Sequence, residues 1–386
     1  MCEQVLLNSM DPVNLKPFPA DFVLQDLTAV TGSVFEFKVN PRTPQIRSKV
    51  ERWFRSFGVY NPKKEQKFLS YRYDHYATVS FPEADLEHLE TCIEFFLWAF
   101  SFDDVSDEGE LQNKPEGVKI GVDISKGVLR NPEAPPPNHK YAAMLHGIFK
   151  RFRSTATQSA CNRFAKAVES WMDSQVEQSR NRALSTIPFT QEFIELRRRT
   201  IGGEIVEAMV EYSIDCKIPS YVWEHPVLVG ISKAAIDIMT WPNDLCSFNK
   251  EQADGDLQNL VVCVMLEHNT DLQSAIDIVT KMLAERVADY AKLKSEVPSF
   301  GEEVDRELAR YLTALEYYVQ GTVVWYYDSP RYFRTLDVSE KANLLVPVYP
   351  RATDVEVAPA ILPAPKRLSD INIRIPFINP PLKLTL

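Results

Sequence analysis

The 386-residue chain has little glycine and no glycine-rich nucleotide-binding loop. Only 13 residues are glycine, which is about half of the usual share of roughly 7%. Neither GxGxxG nor GxxxxGK[ST] occurs in the sequence, and these are the loops that hold phosphates in Rossmann and Walker proteins. The sequence therefore argues against a dinucleotide-binding domain and against a P-loop domain.

Positive charge and clustered cysteine are also scarce. The chain has 43 Lys and Arg against 53 Asp and Glu, a formal charge of −10, whereas a nucleic-acid-binding surface needs clustered positive charge. We therefore expect no nucleic-acid partner. The six cysteines are scattered without a CxxC pair or a metal-site spacing, so we interpret them as buried thiols in a reducing compartment.

Long apolar runs are missing as well. The longest runs, such as residues 260–266, are far shorter than the roughly 20 residues that span a bilayer. Residues 1–7 lack the basic region and the long apolar region of a secretory signal. We therefore expect a cytoplasmic protein without stable membrane insertion.

A helical pattern of apolar residues runs through almost 290 residues of the chain. Leu86, Leu89, Ile93 and Phe100, for example, recur on one helical face, and strand-like alternation between glycine turns is nearly absent. The pattern predicts an all-α fold with a single helical domain. We assign residues 1–40 to an irregular N-terminal segment, 41–340 to the helical domain and 341–386 to a proline-rich C-terminal tail.

The first group of residues with chemical potential is an acidic cluster at 103–108, directly after the most aromatic predicted helix. Asp103 and Asp107 are four residues apart, so on a helix their carboxylates lie on the same face. A bound cation would relieve their repulsion, and Mg²⁺ prefers such oxygen ligands. The alternative is an acidic helix end exposed to solvent.

The second group is a polar face between residues 243 and 251. Asn243, Ser247 and Glu251 follow one another at intervals of four residues, which places them on one side of a helix. Their oxygens form another possible site for a hard cation, and Lys250 beside them could reach a phosphate. An ordinary polar face is the alternative, although Asn and Ser are mediocre helix formers.

The third group is basic. Arg197 begins a run of three arginines just before the pair Gly202-Gly203, where a helix would break, and Arg331 precedes Tyr332. Arginine binds phosphate oxygens with two parallel hydrogen bonds, although each arginine alone could be a surface residue. Two cation sites, two arginines and many aromatic residues together suit a protein that binds and ionises a diphosphate. The aromatic faces would then stabilise a carbocation.

These residues resemble the motifs of class I terpene synthases, in particular those of the fungal (basidiomycete) sesquiterpene synthases of the protoilludene synthase group. The similarity covers roughly residues 20–335. The matching metal motifs are Asp103-Asp104-x-x-Asp107-Glu108 and Asn243-Asp244-x-x-Ser247-x-x-Lys250-Glu251. Chain-elongating prenyl-diphosphate synthases carry two aspartate-rich motifs and no Asn/Ser/Glu set, so the resemblance favours a cyclase.

The resemblance implies a helical bundle around a central apolar cavity, with three Mg²⁺ ions at its mouth and Mn²⁺ as a possible substitute. The implied metal ligands are Asp103, Asp107, Asn243, Ser247 and Glu251. The implied diphosphate-binding residues are Arg197, Lys250, Arg331 and Tyr332. Asp104 and Thr200 would have supporting roles, and Thr200 and Ile201 fall at the helix break that follows the diphosphate-sensing arginine in this family.

The implied activity is that of a lyase of secondary metabolism. It would ionise farnesyl diphosphate, release diphosphate and guide the carbocation to a cyclic hydrocarbon, for which protoilludene is the product that the resemblance suggests. Candidates for the cavity wall are Phe96, Phe100, Phe193, Trp241 and Trp325, although each could equally be a core residue. The partner would be a small prenyl diphosphate, and the protein a monomer or a homodimer. The alternatives are a prenyl-diphosphate synthase and an inactive helical binding scaffold.

The polar face at 243–251 can be tested by mutation. Replacing Asn243 or Glu251 with alanine should abolish turnover because each change removes an oxygen ligand from the expected cation site. The helical signal in circular dichroism should stay unchanged. Turnover that persists in either variant would contradict the assignment of this metal site.

Overall fold

The computed structural model describes residues 9–107, 115–184, 186–334 and 336–351, apart from the side chains of residues 43 and 105–107. Helices dominate this part of the chain, which confirms the predicted all-α class. A short 3₁₀ helix spans Pro12–Asn14. The α-helices are α1 Leu27–Gly32, α2 Thr43–Ser56, α3 Pro62–Ser70, α4 Tyr73–Ser80, α5 Leu86–Asp107, α6 Pro115–Arg130, α7 Lys140–Thr155, α8 Gln158–Leu184, α9 Thr190–Thr200, α10 Gly203–Ser213, α11 Ser220–Trp223, α12 Pro226–Ala253, α13 Leu260–Glu267, α14 Leu272–Ser295, α15 Glu302–Asp328 and α16 Pro330–Phe333.

Two short antiparallel pairs of strands accompany the helices. β1 (Ser9–Met10) pairs with β3 (Ile187–Pro188). β2 (Asp21–Gln25) pairs with β4 (Asn343–Pro347), with residue 21 opposite residue 347 and residue 25 opposite residue 343. The two ends of the described chain are therefore joined to each other at one side of the helical bundle.

This pairing involves both terminal segments of the expected division of the chain. The segment 1–40, expected to be irregular, contains β2 and α1 within its described part, and residues 343–347 of the expected tail form β4. In β2, Phe22 and Leu24 are buried, and in β4 so are Leu344 and Val346. Alternation over five residues is enough to bury one face of such a strand, but it is too short to stand out between prolines in the sequence.

The helices α5 and α12 carry the two acidic motifs at their C-terminal ends. α12 begins with Pro226 at its first turn, capped by the ring of His225, which accepts a hydrogen bond from the backbone of Val227. Pro242 lies inside α12 and lacks the N–H that would continue the helical hydrogen bonds. The interruption falls directly before Asn243.

A very close approach between two helices of the bundle involves Gly321 of α15. A β-carbon at this position would lie 2.0 Å from the carbonyl oxygen of Val79 in α4, so the two backbones pack together only because glycine has no side chain. No helix in the described ranges combines the length and the apolar character that crossing a membrane requires.

We expect Gly321→Ala to lower the free energy of unfolding by about 3 kcal/mol, because the new methyl group forces α15 away from α4. Gly127→Ala is the matched control. Gly127 is exposed in α6 with no atom near its missing β-carbon, so alanine should stabilise the helix there by up to about 1 kcal/mol. Urea denaturation of both variants measures the difference, and equal stabilities would contradict the close packing.

Candidate active site

A cavity lies between the central helices, and its wall has an apolar part and a polar part. The apolar and aromatic lining includes Tyr76, Phe95, Phe96, Ala99, Phe100, Trp171, Ile205, Val206, Met239, Tyr318 and Tyr326. The polar lining includes Asp103, Gln178, Arg197, Thr200, Asn243, Ser247, Lys250, Glu251, Asp254, Asp256, Gln258, Arg331 and Tyr332. Residues more than 200 positions apart in the sequence thus meet at one cavity.

Most residues of the three sequence motifs line this cavity. The structure brings together Asp103 of α5, Arg197 of α9, the α12 residues Asn243, Ser247, Lys250 and Glu251, and the α16 residues Arg331 and Tyr332. The side chain of Asp107 is outside the described part of the structure, as is the whole of Glu108. The cavity therefore has carboxylate, amide, hydroxyl and cationic groups on the wall of an aromatic chamber.

Asn243 connects two of the basic and phenolic residues at the cavity. Its amide oxygen accepts a hydrogen bond of 2.7 Å from Nη2 of Arg197. Its amide nitrogen donates one of 3.1 Å to the hydroxyl of Tyr332. Asn243 is 9% exposed, so these hydrogen bonds form largely away from water, where they are stronger.

Ser247 is the next residue on this face of α12, one turn after Asn243, and its hydroxyl is different. The oxygen is buried and has no hydrogen-bond partner in the described part of the structure. Leaving a buried hydroxyl without a partner costs about 1–3 kcal/mol. This unfavourable hydroxyl lies on the helix face between Asn243 and Glu251, where a bound cation would contact its oxygen.

Glu251 ends this polar face. One of its carboxylate oxygens accepts a hydrogen bond of 2.8 Å from the amide nitrogen of Asn259, which caps α13. Burial raises the pKa of Glu251 to about 7, and the negative charges of Asp244 and Asp256 act in the same direction. Near neutral pH, the carboxyl is therefore partly protonated, and a cation would favour the ionised form.

Arg197 is held by a buried ion pair. Its Nε lies 2.9 Å from Oδ1 of Asp244, whose other oxygen accepts a bond from the backbone N–H of Leu260. Burial alone lowers the pKa of Arg197, but the charges of Asp244, Glu251 and Asp103 raise it above its usual value. The guanidinium thus stays charged inside the protein, at the edge of the cavity.

Asp103 and Asp104 are neighbours in sequence but have different surroundings. Asp103 lines the cavity, whereas Asp104 is buried and does not. Oδ1 of Asp104 lies 3.1 Å from Nη2 of Arg331, and Oδ2 accepts a hydrogen bond of 3.4 Å from Tyr60. The guanidinium of Arg331 also lies 5.5 Å from the centre of the Phe100 ring. Asp104 therefore acts on the cavity through Arg331.

The break between α9 and α10 places backbone atoms at the cavity. Gly202 has φ of +76°, a left-handed conformation that glycine adopts without strain. A β-carbon on Gly203 would lie 2.6 Å from the side chain of Ile236, so this glycine lets α10 pack on α12. The carbonyl of Thr200 accepts hydrogen bonds from Trp171 and Gln175 of α8, which anchors the break.

Three aromatic residues proposed for the wall are not on the cavity surface. Phe96 and Phe100 line the cavity, but Phe193, Trp241 and Trp325 are buried in the core and do not. Trp241 is two residues before Asn243, so it leaves α12 on another side. Trp325 is stacked behind Tyr76, with 4.2 Å between the ring centres. The structure therefore does not bring these three residues to the cavity surface.

The sequence motifs missed several cavity residues. Tyr76 stacks between Phe96 and Trp325, at 4.1 and 4.2 Å between ring centres, and its hydroxyl lies 2.7 Å from that of Tyr318. No spacing in the sequence marks Tyr76, because α4 is short and almost wholly buried. Asp254 and Asp256 follow Glu251 closely, so their position after the motif was a signal that could have identified them.

The donor groups suit a hard divalent cation. Carboxylate, amide and hydroxyl oxygens are the ligands of Mg²⁺ and related ions, and the partnerless hydroxyl of Ser247 is explained by such a ligand. Within the described residues, no group of three His, Cys, Asp or Glu side chains is arranged to hold a metal by itself. A cation here would therefore also depend on Asn243, Ser247 and oxygens supplied by a bound anion.

The buried hydroxyl of Ser247 gives a prediction for stability without metal. Ser247→Ala should leave the free energy of unfolding unchanged or raise it by up to about 1 kcal/mol, because an unsatisfied polar atom is removed. Ser174→Ala is the control, since the buried Ser174 hydroxyl donates to the carbonyl of Trp171 at 2.7 Å and its loss should cost about 1 kcal/mol. Urea denaturation in the presence of a chelator measures both, and an equal loss in the two variants would contradict the structure around Ser247.

Comparisons with known proteins bear on the family of the chain. Residues 94–289 match the family described as terpene synthase family 2, C-terminal metal binding. The chain is 30% identical over 320 residues to sesquiterpene synthase 9 of Postia placenta, covering 82% of this chain and 90% of the relative. It is 28% identical over 328 residues to a delta(6)-protoilludene synthase of Stereum hirsutum, covering 84% and 92% of the two chains.

The fold also matches solved structures. The structure of germacradien-4-ol synthase from Streptomyces citricolor superimposes with a TM-score of 0.68 at 20% identity, covering 76% of this chain and 96% of that one. The resemblance to basidiomycete sesquiterpene synthases that the motifs suggested is confirmed. The chain belongs to the terpene synthase family.

Proposed function

We propose that this terpene synthase is a Mg²⁺-dependent sesquiterpene cyclase that ionises farnesyl diphosphate and converts the carbocation to a cyclic hydrocarbon. The observation that carries the proposal is the polar face of α12 at the aromatic cavity. There Asn243 is bonded to both Arg197 and Tyr332, next to the partnerless hydroxyl of Ser247. The sesquiterpene synthases among the relatives support a C15 substrate.

The residues that would hold the metal are Asp103 and Asp107 of α5 and Asn243, Ser247 and Glu251 of α12. We propose three Mg²⁺ ions, for which Mn²⁺ could substitute. When bound, they would offset the negative charge of the departing diphosphate. The acidic side chains are spread over two helices, so substrate oxygens would complete the coordination.

The diphosphate would be bound by Arg197, Lys250, Arg331 and Tyr332. Arg197 and Arg331 each bond to a buried aspartate and line the cavity, so their guanidinium groups are held at the wall where a diphosphate would bind. The aspartates orient both groups before substrate arrives. Binding would therefore cost little side-chain entropy.

The apolar part of the cavity would hold the hydrocarbon chain. Phe95, Phe96, Phe100 and Trp171 line it, and aromatic faces attract a carbocation through their negative charge density. Tyr76 has ring faces covered by Phe96 and Trp325, so it contributes its ring edge and not a ring face to the cavity wall. A wall of this kind excludes water that would otherwise quench the cation.

The proposed function is tested by incubating the purified protein with farnesyl diphosphate and Mg²⁺ and analysing the volatile products by gas chromatography with mass spectrometry. We expect a cyclic sesquiterpene hydrocarbon, and protoilludene is the product that we propose. Longer diphosphates formed only when isopentenyl diphosphate is added would indicate a prenyl-diphosphate synthase instead. Diphosphate binding without any product would indicate an inactive scaffold.

The raised pKa of Glu251 predicts how Mg²⁺ activation depends on pH. Below pH 7, Glu251 is largely protonated in the metal-free protein, and the cation must displace this proton. The Mg²⁺ concentration for half-maximal activity should therefore fall as pH rises from about 6 to about 8, by up to tenfold per unit at the acid end.

Glu207→Gln is a matched control for this prediction. Burial also raises the pKa of Glu207 to about 7, but Glu207 does not line the cavity, so the variant should keep the same dependence. A half-maximal Mg²⁺ concentration that does not change with pH in the wild-type protein would contradict the role of Glu251. If the Glu207 variant loses the pH dependence, the dependence arises from Glu207 and not from Glu251.

A further inference from the structure

The segment that follows the Arg331-Tyr332 pair passes behind the helix that carries the second metal motif. Residues 343–351, here called the strap, begin with β4 and continue past it along the outer side of α12. β4 pairs with β2, and the N–H of Val348 donates to the carbonyl of Ala20 at 2.9 Å. The strap is therefore anchored on the side of the bundle away from the cavity.

Two side chains of α12 bind the strap backbone. Asn249 donates from its amide nitrogen to the carbonyl of Pro347 at 2.7 Å and accepts from the N–H of Tyr349 at 2.7 Å. Gln252 donates to the carbonyl of Tyr349 at 2.7 Å. Both residues are buried, at 3% and 1% exposure. Both backbone polar groups of Tyr349 are thus bonded to α12.

Asn249 and Gln252 flank Lys250 and Glu251 in the sequence but leave the helix on the opposite side. At 100° per residue, they lie about 180–240° around α12 from Asn243, whereas Lys250 and Glu251 share its cavity face. The strap therefore contacts this turn of α12 on the side opposite the proposed diphosphate site.

The ring of Tyr349 makes a contact to the other side of the site. The guanidinium carbon of Arg334 lies 4.0 Å from the centre of this ring, a distance suited to a cation–π contact. Arg334 directly follows α16, which carries Arg331 and Tyr332, and has φ of +53°. A residue other than glycine is strained in this region, and the contact joins the ring of Tyr349 to this residue at the end of α16.

We propose that Tyr349 is a positioning residue that ties the turn bearing Arg331 and Tyr332 to the helix bearing Asn243, Ser247 and Glu251. The proposal rests on the proposed function of that site. The backbone of Tyr349 is fixed to α12, and its ring supports Arg334. Tyr349 thereby holds the two walls of the diphosphate site at a constant separation on the side away from the cavity. On the cavity side, the hydrogen bond from Asn243 to Tyr332 joins the same two walls.

The test compares four single variants and one double variant with the wild-type protein. Tyr349→Ala removes the ring, and Tyr349→Phe keeps it. Arg334→Ala removes the guanidinium from an exposed position, where loss of folding is not expected, and Arg334→Gly removes it while also relieving the backbone strain. The measurements are KM and kcat with farnesyl diphosphate, the share of farnesol among the products, the affinity for inorganic diphosphate in Mg²⁺, and the free energy of unfolding.

We expect Tyr349→Ala and both Arg334 variants to raise KM and the dissociation constant of diphosphate by about fivefold, the size of a cation–π contact. The farnesol share should rise, because a loosened site admits water, while Tyr349→Phe should match the wild type. The double variant Tyr349→Ala/Arg334→Ala should be no worse than either single one, because the two residues form one contact.

The proposal would be overturned if Tyr349→Ala and Arg334→Ala keep the wild-type KM, diphosphate affinity and farnesol share, whatever the change in stability. A purely structural contact would alter stability alone. Wild-type behaviour of Arg334→Gly would overturn it as well, since backbone strain would then be the cause. If the wild-type protein makes no hydrocarbon, the proposed function fails, and the affinities for diphosphate still decide the role of Tyr349. A wild-type protein that binds no diphosphate would overturn both.

Discussion

The buried ion pair between Arg197 and Asp244 is the interaction on which the site depends. Asp244 is 1% exposed, and removing two charges from water is costly unless their other hydrogen bonds are also formed. Here they are, because Asp244 accepts from the backbone of Leu260 while Arg197 donates to Asn243. One pair therefore connects α9, α12 and the start of α13. It also orients Asn243, the amide that in turn reaches Tyr332.

The charge of the protein is consistent with an anionic ligand only when the metal is included. The chain has a formal charge of −10, and Asp103, Glu251, Asp254 and Asp256 line the cavity. These carboxylates would repel a diphosphate, but divalent cations reverse the sign of the local field. The partnerless hydroxyl of Ser247 has a simple explanation in a bound cation. A cation would also favour the ionised form of Glu251, which burial disfavours.

The class of fold and the positions of the motifs were predictable because both depend on local spacing. Apolar residues at three- and four-residue intervals indicate helices, and intervals of four place Asn243, Ser247 and Glu251 on one face of any helix that contains them. The wall residues were less predictable. Trp241 and Trp325 have the right residue type, but an aromatic ring faces the cavity only if no other side chain packs between them. Tyr76 stacks on Trp325 in this way.

The sequence by itself determined that the chain is helical and which side chains carry the oxygen and guanidinium groups, because residue type and helical period are local properties. Tertiary structure decided which neighbouring aspartate faces the cavity, since Asp103 lines it while Asp104 binds Arg331. It also decided that β4 returns to pair with β2. The physical reason is that the rotation of a helix about its axis, and contacts between residues more than 300 positions apart, are set by the packing of the whole core.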